Sequence, residues 1–345
     1  MNNNSNEEFK DEALIKGDLE ELDPHMKITY EIFIKYLGEE IIRKVFSKNI
    51  LWKDEGLEEF GKSIYKLFSS TINKGNEINN IINLIMKMVY TFLCEKHPQV
   101  CIRSIEIFEI LLTEIKNSKT NLNYDFTITD RILIKIKEKL GDVNAKLRGR
   151  AVDLYSFMLK QESCDYNNLL SELVEDELKQ IDSRKVIRSS KMILGKLSIF
   201  NNVFEDFNNA LKDKRTEMNT FPFNLSSTYV IEKINHSKSE VRKLDSEIIL
   251  KMYKIFGFKK LEPHLKKVDE RELEKLEELI PEVKDIIQFL KMNPKGSENS
   301  IIAREKSPKE RPKGRSTSKD KKGNSSSKQV NAKNSNKVYR LLKKC

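Results

Sequence analysis

The sequence lacks the cysteine and histidine spacings on which metal sites and disulfide frameworks depend. Its 345 residues include four cysteines and four histidines, with no Cys-x-x-Cys pair and no cluster of ligands. Structural zinc and disulfides are therefore not expected, and a reducing cytoplasmic compartment fits best. Cys94 and Cys101 fall within apolar helical patterns, so we expect both to be buried as small hydrophobic residues.

Long apolar runs and catalytic signatures are also missing. No segment approaches the roughly 18 uninterrupted apolar residues of a membrane span, and the N-terminus has no signal-peptide pattern. The sequence has no P-loop, no dinucleotide-binding glycine pattern, no nucleophile elbow and no His-Glu-x-x-His motif. We therefore expect no membrane partner, no cofactor, no metal and no catalytic residue, and we predict that the protein is not an enzyme.

The positive charge is concentrated at one end of the chain. The formal net charge is +10, and residues 293–345 contain 16 Lys and Arg against 4 Asp and Glu. Residues 1–292 contain 47 Lys and Arg against 49 Asp and Glu and are therefore nearly neutral. The polar segments at the two ends of the chain cannot bury enough apolar surface to offset their chain entropy. The sequence predicts a disordered, acidic and Asn-rich N-terminus (1–24), a folded body (25–292) and a disordered basic tail (293–345).

The apolar residues of the body recur at helical spacing. Leu147, Ala151, Leu154 and Met158 follow one another at intervals of four, three and four, after a loop in which Asp142 or Asn144 can cap the helix. Comparable stripes occur throughout the body, and no convincing two-residue period is present. The body is therefore predicted to be all-α.

Two helix starts carry the pattern of a capping box. Ser237 is followed by Glu240 three residues later, directly before an apolar stripe, and Thr127 precedes Asp130 in the same way. In a capping box the first side chain accepts from the backbone N–H three residues on, and the acidic residue reaches back. The sequence therefore predicts helix starts at both places.

The loops that precede the inner helices recur at a nearly constant interval. Anchors at Lys48, His97, Asn144, Ser189 and Ser237 are separated by 49, 47, 45 and 48 residues. Helix pairs of about 40–47 residues are typical of HEAT and armadillo arrays, in which each pair covers the apolar face of its neighbour. The sequence predicts an α-solenoid of HEAT-like helix pairs with five to six repeats.

Loops of one type line up along one edge of a solenoid, and here those loops are basic. Helix N-termini point to the same edge, and their unpaired N–H groups add partial positive charge. Such an edge suits an acidic protein surface or phosphate. Acidic residues interleave with the basic ones, which are Lys48, Lys53, Lys96, Arg103, Lys146, Arg148, Lys185, Arg188, Lys191, Lys238 and Arg242.

A family resemblance gives this edge a candidate partner. Residues 36–60, YLGEEIIRKVFSKNILWKDEGLEEF, contain a Gly-Glu and a Ser-Lys element that lead into a tryptophan-bearing loop and a basic–acidic pair. This segment resembles the opening of TOG domains, most closely the TOG domain of the centrosomal protein of 104 kDa, a ciliary-tip and centriolar protein. LGDVNAKLRGRA (140–151) resembles that family's third-repeat loop, and residues 236–257 its last.

The resemblance, which covers about residues 37–258, implies a HEAT-like array that binds tubulin and microtubules through its aligned loops. It also implies a location at the cilium, basal body or centriole. The family's tryptophan position falls on Ile50, whereas Trp52 lies two residues later, and Lys53 stands where arginine is usual. Carried over by position, the tubulin-binding residues are Lys48, Trp52, Lys53, His97, Gln99, Asn144, Lys146, Arg148, Lys191, Ser237 and Arg242.

One alternative belongs to a different functional class. A HEAT or armadillo adaptor would bind peptides or ribonucleoprotein partners in a helix-lined groove, and its basic tail would contact nucleic acid. In the tubulin hypothesis the tail instead aids attachment to the acidic microtubule lattice, other ciliary-tip or centriolar proteins are further partners, and nucleic acid is not expected.

Overall fold

The computed structural model describes residues 16–118, 126–160, 169–174, 190–212 and 223–292. All regular structure within these ranges is helical, and the predicted all-α solenoid of HEAT-like helix pairs is confirmed. The chain divides into two compact units, one extending to residue 221 and one beginning at residue 222. Each unit is described by itself.

The first unit contains ten helical segments among its described residues, and successive helices pack as pairs: α3 with α4, α5 with α6, and α7 with α8. Connections of one to five residues separate the helices from α1 to α6, and also α7 from α8. The segments are α1 (Pro24–Thr29), α2 (Glu31–Leu37), α3 (Glu39–Phe46), α4 (Ile50–Thr71), α5 (Gly75–Leu93), α6 (Pro98–Ser118), α7 (Phe126–Lys139), α8 (Ala145–Leu159), α9 (169–174) and α10 (Ser190–Lys212).

The second unit contains five helices among its described residues. Helix α12 packs against α11 and α13, and α15 packs against α14 and α13. Gly257 adopts a φ of 78° between α12 and α13, a left-handed conformation that glycine tolerates without strain, so α12 ends there. The helices are α11 (Phe223–Ile231), α12 (Ser239–Phe256), α13 (Phe258–Leu265), α14 (Glu270–Glu277) and α15 (Val283–Met292).

Helices α4, α6, α8 and α10 form one row in the first unit, and neighbours in this row are parallel. Near the start of α6, the Gln99 amide donates to the Asp54 carboxylate of α4 at 3.2 Å. Further along both helices, a Cβ added at Gly61 would lie 3.5 Å from Ile107. Because the contacts advance in the same direction along both helices, α4 and α6 begin at the same side of the unit.

The same order of contacts relates α8 and α10. The Asn202 amide donates to the Ser156 hydroxyl at 3.2 Å, and one turn later Lys160 pairs with Asp206 at 2.9 Å. These two helices are therefore also parallel.

Two arginines at equivalent positions tie α4, α6 and α8 together. Arg103 of α6 pairs with Asp54 (2.8 Å) and Glu58 (2.6 Å) of α4. Arg150 of α8, 47 residues later, pairs with Glu109 of α6 at 3.1 Å. Helix α8 thus lies on α6 as α6 lies on α4. Arg103, which the sequence assigned to the basic edge, serves contacts between repeats.

The apolar stripes form the core of each unit. Leu154 in α8 and Ile248 in α12 are both fully buried, at 0% exposure. Cys101 is buried as predicted, but the prediction for Cys94 is wrong: it is exposed, because it is the C-cap of α5 and the chain leaves the core there.

Truncation of these core side chains tests the stripes. Leu154→Ala and Ile248→Ala are each expected to lower the free energy of unfolding by about 2–5 kcal/mol, because a buried cluster is lost and a cavity remains. Val143→Ala is the matched control, since Val143 is 80% exposed and its truncation is expected to change stability by about 0.5 kcal/mol or less. Urea denaturation followed by circular dichroism measures all three. Equal losses for Val143 and Leu154 would contradict the assignment of the core.

The predicted capping box at Thr127 is not formed. Helix α7 already begins at Phe126, so Thr127 and Asp130 both lie inside it. Asp130 is instead a partly buried carboxyl whose Oδ1 has no hydrogen-bond partner among the described residues. Burial raises the pKa of Asp130 to about 6, because desolvation disfavours the charged form.

This raised pKa predicts a pH dependence of stability. A group whose pKa is higher in the folded state contributes stability that is fully present below its unfolded pKa, about 3.9, and lost as the pH rises through about 6. Asp130→Asn is therefore expected to raise the melting temperature at pH 7.5 and to change it little at pH 4. Asp153→Asn, at a more exposed site of the same unit, is the control. An equal effect of Asp130→Asn at both pH values would contradict the assignment.

Candidate functional site: the loop edge

The loop before α4 is held in place by its own polar residues. The backbone N–H of Asn49 donates to the Ser47 hydroxyl at 3.1 Å, and the Asn49 side chain accepts from the N–H of Leu51 at 2.9 Å. Lys48 is exposed between them, and no described carboxylate lies within ion-pair distance of it. The loop therefore presents Lys48 to solvent from a fixed backbone.

The loop before α8 has the same construction. The N–H of Asn144 donates to the Asp142 carboxylate at 2.9 Å, and the Asn144 side chain accepts from the N–H of Leu147 at 3.0 Å, as an N-cap does. Arg148 also turns inward, since its Nη1 donates to the Asp142 carbonyl at 2.7 Å. Asn144 and Arg148, both predicted tubulin contacts, thus position the loop, and exposed Lys146 is the side chain that they present.

The loop before α12, in the second unit, repeats this arrangement 94 residues later. The N–H of Lys238 donates to His236 Nδ1 at 3.1 Å, and Arg242 donates to the carbonyl oxygens of His236 (2.7 Å) and Ser237 (2.9 Å). The N-cap is Lys238 and its side chain makes no capping hydrogen bond, so the capping box predicted at Ser237 and Glu240 is wrong. The helix starts one residue later than that motif requires, and Ser237 is left exposed.

We call this arrangement the loop staple: the N–H of an extended N-cap residue donates to the side chain two residues earlier. The three N-caps have φ between −85° and −73° and ψ between 114° and 128°. The accepting side chains were not predicted from the sequence, although a polar residue two positions before each cap was a visible signal. They are Ser47, Asp142 and His236.

The loop before α6 separates the predicted residues into two groups. Lys96 and His97 are exposed. Lys53, in contrast, pairs with Glu95 at 2.9 Å and its side chain is only 15% exposed. Gln99 donates to α4, as described above. Lys53 and Gln99 therefore join neighbouring repeats, and neither is free to contact a partner as the sequence predicted.

Trp52, the predicted aromatic contact, is half-buried and covered by the chain's own N-terminal residues. Its indole Nε1–H donates to the carbonyl of Gly17 at 2.7 Å, and the Lys16 ammonium lies 3.6 Å from its ring centroid. Lys16 also pairs with Glu55, and this hydrogen bond, followed by one from Lys44, lowers the pKa of the Glu55 carboxyl. The structure thus gives residues 16–23, which the sequence assigned to the N-terminal tail, defined contacts with α3 and α4.

The remaining predicted residues lie elsewhere. Lys191 is half-buried in the first turn of α10, and Lys185 and Arg188 lie outside the described residues. Ser237 and Arg242 belong to the second unit.

Three exposed lysines remain at the starts of successive helices of the row, and we call them the lysine edge: Lys48, Lys96 and Lys146. None has an ion-pair partner among the described residues, although most other charges nearby are paired. Each lies within the loop or first turn of a helix N-terminus, where the unpaired N–H groups add to the positive potential.

Two further features are absent from the described residues, a metal-binding cluster and a membrane-spanning helix. These residues contain no group of three or more His, Cys, Asp or Glu side chains that could hold a metal ion. None of the helices in these ranges has both the length and the apolar character needed to cross a membrane.

Comparison with known proteins finds similar folds. No protein-family model and no curated protein matches the chain. Among solved structures, the TOG domain of human Cep104 is 18% identical with a TM-score of 0.49, over 80% of this chain and 99% of that one. A TOG domain studied for TOG–tubulin binding specificity is 12% identical (TM-score 0.46; 77% and 91% covered). The TOG domain of C. elegans Zyg9 is 14% identical (TM-score 0.44; 79% and 91% covered). These likenesses concern the fold alone, and at these identities a similar fold implies no shared partner.

Proposed function

We propose that this protein is a non-enzymatic tubulin-binding protein that contacts tubulin through the lysine edge. One observation carries the proposal: Lys48, Lys96 and Lys146 are exposed at the starts of three successive helices of the row and have no ion-pair partner among the described residues, while the charges beside them are paired. One such cation per repeat, with loop staples holding the backbone at Lys48 and Lys146, suits a broad acidic protein surface better than a small ligand.

Tubulin is chosen as the acidic partner because of the sequence at residues 36–60, which resembles the opening of TOG domains. The predicted residues divide into those that would contact tubulin and those with roles inside the protein. We propose Lys48, Lys146 and His97 as contacts, together with Lys96 and, in the second unit, Ser237. The residues with roles inside the protein are Lys53 and Gln99 between repeats, and Asn144, Arg148 and Arg242 within loop staples.

Co-elution of the full chain with unpolymerised tubulin from a sizing column tests the proposal. A complex that forms at moderate salt supports it, because a positioned set of contacts resists screening better than diffuse charge does. A parallel run with single-stranded RNA addresses the adaptor alternative. Binding to RNA without any binding to tubulin would overturn the proposed function.

We propose the cilium or centriole as the place of action, with ciliary-tip or centriolar proteins as further partners. The support is the motif at residues 36–60, which resembles the opening of a ciliary-tip and centriolar TOG domain. A tagged full chain expressed in ciliated cells is expected to concentrate at basal bodies or ciliary tips. An even distribution along cytoplasmic microtubules would argue against this location.

The basic tail, residues 293–345, lies outside the described residues, and we propose that it strengthens attachment to the lattice. Its net charge of +12 is attracted to an acidic polymer surface without fixed geometry, and this attraction is steeply screened by salt. A chain lacking residues 293–345 is expected to pellet less with microtubules at low salt and to bind a single tubulin dimer almost as well. Equal pelleting of both chains at low salt would contradict a role as lattice anchor.

A further inference from the structure

Residues 16–22, which we call the N-terminal strap, cross the start of α4 without regular structure of their own. Their first contact is with Trp52. The indole N–H donates to the Gly17 carbonyl at 2.7 Å, and the Lys16 ammonium covers the ring at 3.6 Å from its centroid while pairing with Glu55. The strap therefore satisfies the polar atom of Trp52 and also covers one face of its ring.

A second set of contacts holds the other end of the strap. The Arg43 guanidinium of α3 donates to the carbonyl of Glu20 at 2.9 Å and also to the carbonyl of Leu19. Leu22 is nearly buried, at 7% exposure. Side chains of the helices thus bind backbone carbonyls of the strap, much as a protein surface binds an extended peptide.

We propose that the strap is an autoinhibitory segment, which tubulin must displace from Trp52 in order to bind fully. This inference rests on the proposed function. Trp52 lies in the first turn of α4, directly after the loop that carries Lys48. A tryptophan at such a position is the type of residue that most often carries the affinity of an interface. In the strapped state, the indole N–H and one ring face are occupied by the chain itself.

The contacts over Trp52 are of the kind that open readily. The Lys16–Glu55 pair is more than a third exposed at both side chains, and exposed ion pairs and cation–π contacts are individually weak. If the binding-competent state is only a fraction of the population, the apparent dissociation constant increases by the inverse of that fraction. With about a tenth of the molecules open, removal of the contact would tighten tubulin binding about tenfold.

The experiment uses Trp52 as its own reporter, because it is the only tryptophan in the chain. Quenching of its fluorescence by acrylamide, without tubulin, measures whether the strap covers it. Two opened chains are compared with matched controls. A chain lacking residues 1–18 is compared with one lacking 1–15, which keeps Lys16 and Gly17. Lys16→Glu is compared with Lys27→Glu, which breaks another exposed ion pair, with Glu39.

Both opened chains are expected to show stronger quenching of Trp52 and about tenfold tighter tubulin binding, with both controls unchanged. An increase in affinity for Lys16→Glu would be the most informative result, because an added negative charge by itself would weaken binding to an acidic partner. Unchanged quenching would show that the N-terminal strap does not cover Trp52, and the inference would be overturned. Stronger quenching with unchanged or weaker tubulin binding would overturn its autoinhibitory role alone. If no chain bound tubulin, the proposed function and this inference would both fail, whatever the quenching.

Discussion

Reversal of the lysine edge, by Lys48→Glu, Lys96→Glu and Lys146→Glu together, is expected to weaken tubulin binding by about 100-fold or more. All three side chains are exposed and unpaired among the described residues, so the change removes attraction and adds repulsion at three points of the interface. A loss of about 1 kcal/mol at each lysine would sum to roughly 3 kcal/mol, which is about 100-fold. Fluorescence anisotropy with labelled tubulin measures the affinity, and circular dichroism checks that the helix content is unchanged.

The matched control changes the net charge equally at another surface. Lys62, Lys66 and Lys87 are exposed lysines within α4 and α5, away from the helix starts. Their triple reversal to glutamate is expected to weaken binding only slightly at moderate salt, where diffuse charge effects are screened. If both triple variants lost affinity equally, binding would depend on overall charge, and the edge assignment would be wrong.

Substitution of Gly195 by alanine is expected to destabilise the first unit by about 3 kcal/mol. A Cβ at this position of α10 would lie 2.4 Å from the carbonyl oxygen of Leu140, which is a backbone atom at the start of the loop that carries the Asp142 staple. A backbone atom cannot move aside as a flexible side chain does, so either α10 or the loop must shift. Urea denaturation measures the loss, and tubulin affinity is expected to fall because the position of Lys146 depends on this loop.

Gly149→Ala provides the control on a neighbouring helix. Gly149 lies inside α8, and a Cβ there would meet no atom within 4 Å. Alanine is favoured over glycine in a helix, so this variant is expected to gain about 0.5–1 kcal/mol. A Gly195→Ala protein as stable as Gly149→Ala would show that α10 does not pack against the end of α7 as described.

Local pattern predicted the long helices with clear apolar stripes, whereas it did not always predict where their caps lie. The stripe through Leu154 repeats with helical period, and Asn144 caps α8 as predicted. The capping-box motif at Ser237 correctly predicts a helix start in this region, but it predicts the wrong N-cap residue. The His236 ring accepts the N–H of Lys238, and the helix begins one residue later than the motif requires. Competing hydrogen bonds of similar strength decide such boundaries, and sequence spacing does not rank them.

The sequence by itself determined the fold class and the basic character of the loops, because helical period and repeat spacing are local properties of the chain. Only the tertiary structure decided which basic residues are available to a partner. Lys48 and Lys53 are both lysines near the start of α4, and the sequence does not distinguish them. In the structure Lys53 forms an ion pair with Glu95 of the next repeat, whereas Lys48 pairs with no described carboxylate. The Trp52 indole N–H donates to the carbonyl of Gly17, 35 residues earlier, and the Lys16 ammonium covers its ring. Exposure and pairing therefore depend on residues that are about 35 to 42 positions away in the sequence, and only the packing of the helices brings these residues together.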